Sequence, residues 1–334
     1  MSKNIEQNML RERAKKLPTV TEEMWLKVDE DYRYLADEFI SVQSHSPQTK
    51  KQYVSALRQF GWFKYNSMNN KPFYKITKRD FLRFLSYLRD DRKMSSSAIN
   101  FRKSVVSSLC NYIENVVADD DDNYRNFRNF TRGLPAIPKN KVYNKEQITV
   151  EEYEMMMKVL EEDEDWLGRA WLATAFLVGA RRAEINQFKT EMLDYEVQEG
   201  KNYIMSHIVR GKGESIDGKP LEFMIDLDVL PYWKKWIDER GYDHEYIFTT
   251  KHNGKENVIS DGWANYFCTN TLSHILGRRV NPHIFKASCI TYHLDKGVPI
   301  EIVSRFIAQH ESVETTIGHY DLRDFEEERD KIFE

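Results

Sequence analysis

The sequence predicts a mainly α-helical protein with a small antiparallel β-sheet, divided into two domains. Three observations predict it. Apolar residues recur at helical spacing from Met24 to Asp119. A stretch with two prolines, Gly133-Leu134-Pro135-Ala136-Ile137-Pro138-Lys139, then reads as an extended connector. Beyond it helical patterning resumes, except for two strand-like runs set apart by glycine-rich turns. A chain of 334 residues suits two domains. The expected organisation is an N-terminal arm at 1–25, a helical domain at 26–131, a linker at 132–147 and a second domain at 148–334.

Residues 1–25 are polar and charged without a sustained apolar period, as in a loosely ordered arm or a short helix. In the helical domain Tyr32, Leu35, Phe39 and Ile40 share one spacing and Tyr53, Leu57, Phe60 and Phe63 another, consistent with four or five short helices. Ser46-Pro47 and Ile76-Thr77 read as helix starts, with a hydroxyl cap in each and proline in the first turn of the former. Asp119 to Asn123 breaks the pattern. In the second domain Thr149 to Leu160 and Trp166 to Val178 read as helices, and Tyr203 to Val209 and Leu221 to Ile225 as strands. A last helix is expected through Phe325 to Phe333.

Composition narrows the function classes. No stretch approaches the roughly 18 apolar residues of a membrane span, and the first residues lack the apolar core of a signal peptide, so a cytoplasmic protein is expected. Cys110, Cys268 and Cys289 have no metal-ligand or disulfide spacing, so no metal is expected and reduced core thiols are. The net charge of −4 points away from nucleic acid, but its distribution points back. Between Lys50 and Lys103 fourteen basic residues face only Asp80, Asp90 and Asp91. Basic residues there cluster near helix N-termini, where free N–H groups already favour phosphate. Lys50, Lys51, Lys78, Arg79, Arg83, Arg102 and Lys103 are the candidate contacts to double-stranded DNA.

The second domain carries a series of polar residues in apolar surroundings. Phe176 to Ile185 ends one helix and opens another, which places Arg181 at a turn beside Gly179, where an arginine needs an anion or a carboxylate. Val209-Arg210-Gly211-Lys212-Gly213 puts Lys212 on a hairpin. Asn281-Pro282-His283-Ile284-Phe285-Lys286-Ala287-Ser288 leads into an apolar helix and the turn Lys296-Gly297-Val298. Ile302 to Thr316 contains His310, and Tyr320 follows ten residues after it.

In order and spacing these segments resemble the tyrosine recombinase (phage integrase) family. Arg181 and Glu184 fall on the family's first arginine box, Lys212 on its hairpin lysine, and His283 and Lys286 on its His-x-x-Arg motif. His310 falls on the Leu-Gly-His box and Tyr320 on the nucleophile. Thr49-x-x-x-Tyr53-x-x-x-Leu57-x-x-Phe60 is similar to the opening of the family's core-binding domain. The resemblance implies a two-domain clamp around DNA, acting as a dimer or tetramer without a cofactor. It further implies that Tyr320 attacks the scissile phosphate to form a 3′-phosphotyrosine and that Lys212 protonates the leaving oxygen. Arg181 would clamp a nonbridging oxygen, His283 would act as base or phosphate donor, and His310 would hold the phosphate or orient the tyrosine.

Two positions depart from the family. Lys286 stands where an arginine is expected, and an ammonium lacks the planar fork that holds two phosphate oxygens. Ala308-Gln309 replaces Leu-Gly before His310. Losing one transition-state donor costs on the order of 10²–10³ in rate. The sequence therefore leaves two readings, an integrase that cuts and rejoins DNA and a recombinase-fold repressor of phage lysogeny that only binds it.

Overall fold

The computed structural model describes residues 19–135, 137, 146–213 and 218–323. Most of the expected arm, part of the expected linker and the expected helix from Phe325 to Phe333 lie outside the described residues. The chain forms two compact units, residues 1–144 and 145–334.

The first unit contains helices α1 (Glu22–Leu26), α2 (Glu30–Val42), α3 (Pro47–Ser67), α4 (Lys78–Ser86) and α5 (Ser96–Asn115). Both anticipated starts are present. Ser46 Oγ accepts from Thr49 N at 3.3 Å with Pro47 in the first turn. Thr77 and Asp80 close a reciprocal capping box at 3.3 and 3.0 Å. Two helices are long rather than short, because α3 runs 21 residues through Gly61 and α5 runs 20. Gly61 is tolerated there because a Cβ would stand 2.7 Å from Tyr32 Cε1 and 2.8 Å from Trp25 Cζ3. Its absence lets α3 approach α1 and α2. The core is aromatic, with Phe60 meeting Phe81 and Phe84 edge-on at 5.6 and 5.0 Å between ring centres.

Part of the basic run is internal. Lys64 is fully buried, and its Nζ donates to Lys71 O at 2.9 Å and Asn70 Oδ1 at 3.3 Å beside Asp29. Lys71 pairs with Asp80 at 2.8 Å and Arg58 with Glu22 at 2.7 Å. The run is thus less of a free cationic surface than its count suggests.

In the second unit a capping box between Thr149 and Glu152 starts α6 (Val150–Glu162), followed by α7 (Trp166–Leu177) and the short α8 (Arg182–Ile185). Strands β1 (Tyr203–Met205), β2 (Val209–Gly211), β3 (Lys219–Leu221) and β4 (Met224–Asp226) pair antiparallel, β1 with β4 and β2 with β3. The long strands read from sequence are each broken in two. At the break Ser206 N donates to Phe223 O and Phe223 N to Ser206 Oγ, so a side chain replaces a ladder bond. After α9 (Leu230–Arg240) comes a hairpin absent from the expectation, β5 (Thr249–His252) with β6 (Lys255–Val258). Among the described residues, three two-stranded ladders therefore stand in place of the single expected sheet. Helices α10 (Asp261–Tyr266), α11 (Ser273–Leu276), α12 (Pro282–Asp295), α13 (Ile300–Ile302) and α14 (Val313–His319) follow among the described residues.

The core here centres on Trp171, Phe176, Phe188, Trp233, Phe248 and Phe285, all buried. Trp233 Nε1 donates to buried Thr174 Oγ1 at 2.7 Å, which satisfies both polar groups and fixes α9 on α7. No helix among the described residues is long and apolar enough to cross a membrane. All three cysteines are free and buried.

Candidate catalytic site

The site begins where α7 ends. Gly179 takes φ +68°, and a Cβ there would stand 2.9 Å from Cys289 Sγ on α12, so only glycine fits. The chain then turns into Arg181, the N-cap of α8. Arg181 N donates to Glu184 Oε2 at 2.7 Å, and its Nη1 donates to Glu184 Oε1 at 2.9 Å. The carboxylate is buried, so one group caps the helix and anchors the guanidinium. Burial works against the Arg181 charge, but Glu184 and then the Tyr320 hydroxyl, within hydrogen-bonding reach, outweigh it and hold its pKa above the ordinary value.

Helix α12 presents His283 and Lys286 one turn apart. Asn281 caps it by accepting from His283 N at 3.1 Å, and the His283 ring stands exposed. Lys286 is 2% exposed, and its Nζ has no hydrogen-bond partner among the described residues. Burial, reinforced by the charge of Arg181, pushes its pKa down to about 8. Thr291 on the same helix ties the segment after α14, because Leu322 N donates to Thr291 Oγ1 at 3.1 Å and that hydroxyl lies 3.2 Å from Tyr320 O.

His310 follows α13. Its Nδ1 lies 2.9 Å from Thr316 Oγ1, and its Nε2 is buried without a partner among the described residues. Its ring centre is 4.5 Å from that of Tyr320. Burial, then the charges of Lys286, Arg181, Lys219 and His319, push the imidazole down to about 4. Arg181, Glu184, Lys286, His310 and Tyr320 are thus brought together. Lys212 is an exposed residue just beyond β2, with no hydrogen bond or ion pair among the described residues. Of the two hairpin lysines, Lys219 acts on His310, and it also pairs with Glu311 at 3.3 Å.

In the first unit Lys51, Lys78, Arg79 and Arg83 are exposed, while Lys50 and Lys103 are half-buried. Arg102 is turned inward, with Nε donating to Gln59 Oε1 at 2.7 Å and Nη1 to Ala98 O at 2.9 Å. Burial lowers its pKa from the ordinary arginine value.

The chain is 59% identical over 334 residues, the whole of both proteins, to the SPbeta prophage-derived recombinase-like protein YomM of Bacillus subtilis. The chain belongs to the tyrosine recombinase family. A family model described as the phage integrase N-terminal SAM-like domain matches residues 35–117. Tyrosine recombinase XerA of Pyrococcus furiosus is 24% identical over 279 residues, which span 83% of this chain and 85% of XerA. The crystal structure of the XerH site-specific recombinase bound to palindromic difH substrate, a post-cleavage complex, has a similar fold. The TM-score is 0.65 at 16% identity, covering 98% of this chain and 95% of that one.

Gln309, which the sequence resemblance sets on the glycine of the family's Leu-Gly-His box, has φ +54°, a left-handed conformation that glycine adopts without strain. The Gln309 amide donates to Glu222 O, which helps hold the turn. A β-branched side chain resists that conformation, so Gln309→Val is expected to cost about 1–2 kcal/mol by urea unfolding. Gln309→Gly should fold normally. Thr291, Ser304, Thr316 and Lys219 were not legible as site residues, because their roles come from contacts between separate elements.

Proposed function

We propose that this recombinase cuts and rejoins DNA strands at specific sites through a 3′-phosphotyrosine on Tyr320. The observation that carries the reading is that Arg181 and His310 meet at Tyr320, with the Lys286 ammonium near both. Lys286 Nζ and His310 Nε2 are both buried and unsatisfied among the described residues, beside the Tyr320 contact of Arg181. Leaving buried polar atoms unpaired costs about 1–3 kcal/mol each, so such an arrangement suits a site completed by an anion. A phosphodiester provides that anion, and the same cations then stabilise the charge that grows in the transition state.

In this reading Arg181 and Lys286 hold the nonbridging oxygens, and exposed His283 donates to the phosphate from the first turn of α12. Lys212 protonates the departing 5′-oxygen. Lys51, Lys78, Arg79 and Arg83 grip the backbone of the duplex, with Lys50, Lys103 and Arg102 nearer the core of their unit. The palindromic substrate of XerH supports binding as a homo-oligomer, since a site with two equivalent halves suits two copies of one chain.

Lys286 also favours a second reading, a repressor that binds DNA without cutting it, because a buried lysine keeps the positive charge while lacking the two-oxygen grip of arginine. A genome-wide map of binding in the host separates them. Paired sites at the ends of one element support the recombinase reading, whereas many copies of one motif at promoters, with no rearranged junctions, overturn it.

A further inference from the structure

The hairpin that leads to Lys212 is tied down on both of its strands by glutamine side chains. Among the described residues strand β2 pairs with β3 alone, and in that ladder Arg210 stands opposite Pro220. Proline has no N–H to give, so the two form a non-hydrogen-bonded pair and the N–H and C=O of Arg210 point to the open edge. There the Gln187 side chain takes the place of a third strand. Arg210 N donates to Gln187 Oε1 at 2.8 Å, and Gln187 Nε2 donates to Arg210 O at 3.0 Å and to Ala183 O at 2.7 Å. A primary amide has two N–H donors, so both are used and the group fits only one way round. Gln187 lies six residues after Arg181, just past α8. On the other strand Gln309, beside His310, donates to Glu222 O just beyond β3, and Lys219 on β3 pairs with Glu311 at 3.3 Å.

Resting on the strand-cleavage reading, in which Lys212 gives a proton to the departing oxygen, we propose that Gln187 and Gln309 are positioning residues that hold the Lys212 hairpin between the Arg181 segment and the His310 turn. Lys212 follows Arg210 by two residues, so where the Gln187 amide holds Arg210 decides where the ammonium can reach. An acid acts only from within hydrogen-bonding reach of the oxygen it protonates, and a hairpin free to swing spends less time there. The same tie gives the departure at position 309 a purpose. Glycine would take the left-handed turn without strain but has no side chain to carry to the hairpin.

Hydrogen exchange of the full DNA-free chain tests the tie itself. The Arg210 amide should be protected, and Gln187→Met should abolish that protection while the β1–β4 ladder keeps its own. Equal exchange of Arg210 in the two proteins overturns the proposal whether or not the protein cleaves DNA. On synthetic DNA copied from a site occupied in the host, Gln187→Met and Gln309→Gly should each form covalent complex on the order of 10²-fold more slowly than the parent, at unchanged DNA affinity. Both residues are half-buried, so water can replace the lost bonds, and either variant alone carries the test if the other does not fold. Sulfur in place of the departing 5′-oxygen leaves as a thiolate and needs no proton. On that DNA both variants, and Lys212→Ala with them, should match the parent. Parental rates on ordinary DNA, or a deficit that persists on the sulfur-linked DNA, overturn the positioning role. A parent that forms no complex on either DNA overturns that role together with the cleavage reading, while the exchange alone decides the tie.

Discussion

Lys286→Met is expected to make the DNA-free protein more stable and less able to act. The amine is 2% exposed and has no hydrogen-bond partner among the described residues, so the folded state carries a charge that nearby Glu184 offsets only in part. Burial and Arg181 push its pKa down to about 8, against about 10.4 for an ordinary lysine. Between those values the unfolded chain binds more protons than the folded one, so stability rises with pH through this window. The penalty is absent above the ordinary lysine value and complete below about pH 8. Methionine, of similar length and uncharged, should therefore add about 3 kcal/mol at pH 7, or roughly 5–10 °C in Tm. The gain should fade by pH 10.5. Strand cleavage should fall on the order of 10²–10³ with the lost cation.

Glu184→Ala should act in the opposite direction. The buried carboxylate accepts both from the backbone of Arg181 and from its guanidinium, so its removal uncaps α8 and leaves a half-buried cation without a counter-charge. Breaking such a pair from one side costs about 3–5 kcal/mol, measured as a lower urea midpoint with an unchanged slope. Glu184→Gln, which keeps an oxygen for the backbone donor, should recover part of the loss.

The features legible in the sequence are those set by neighbouring residues. The caps at Ser46 and Thr77 follow from hydroxyls placed before a helical period, and the order of Arg181, Lys286, His310 and Tyr320 is visible because each lies within a short, recognisable phrase. The β5–β6 hairpin was also written locally. Asn253 and Gly254 both take positive φ, as an Asn-Gly hairpin turn demands, but the charged strands around them hide the alternation. Other features depend on distant partners. Nothing near Lys64 in the chain shows that Asp29 will meet it in the core, and nothing near Thr316 shows that it will bridge His310 to Ser304. Lys212 was singled out by its flanking glycines, whereas the charge of Lys219 on His310 arises only once β2 and β3 have paired.

The most direct test of the account is detergent-resistant linkage between protein and DNA. The full chain and its Tyr320→Phe variant, each expressed in the host, would be stripped of noncovalent contacts by hot detergent, and the DNA remaining on each would be recovered and sequenced. The account predicts DNA attached through its 3′-phosphate to Tyr320 at a small number of sites, and none on the phenylalanine variant, which occupies the same sites before detergent. Equal amounts of linked DNA on both proteins, or none on the parent at sites it demonstrably occupies, would contradict it.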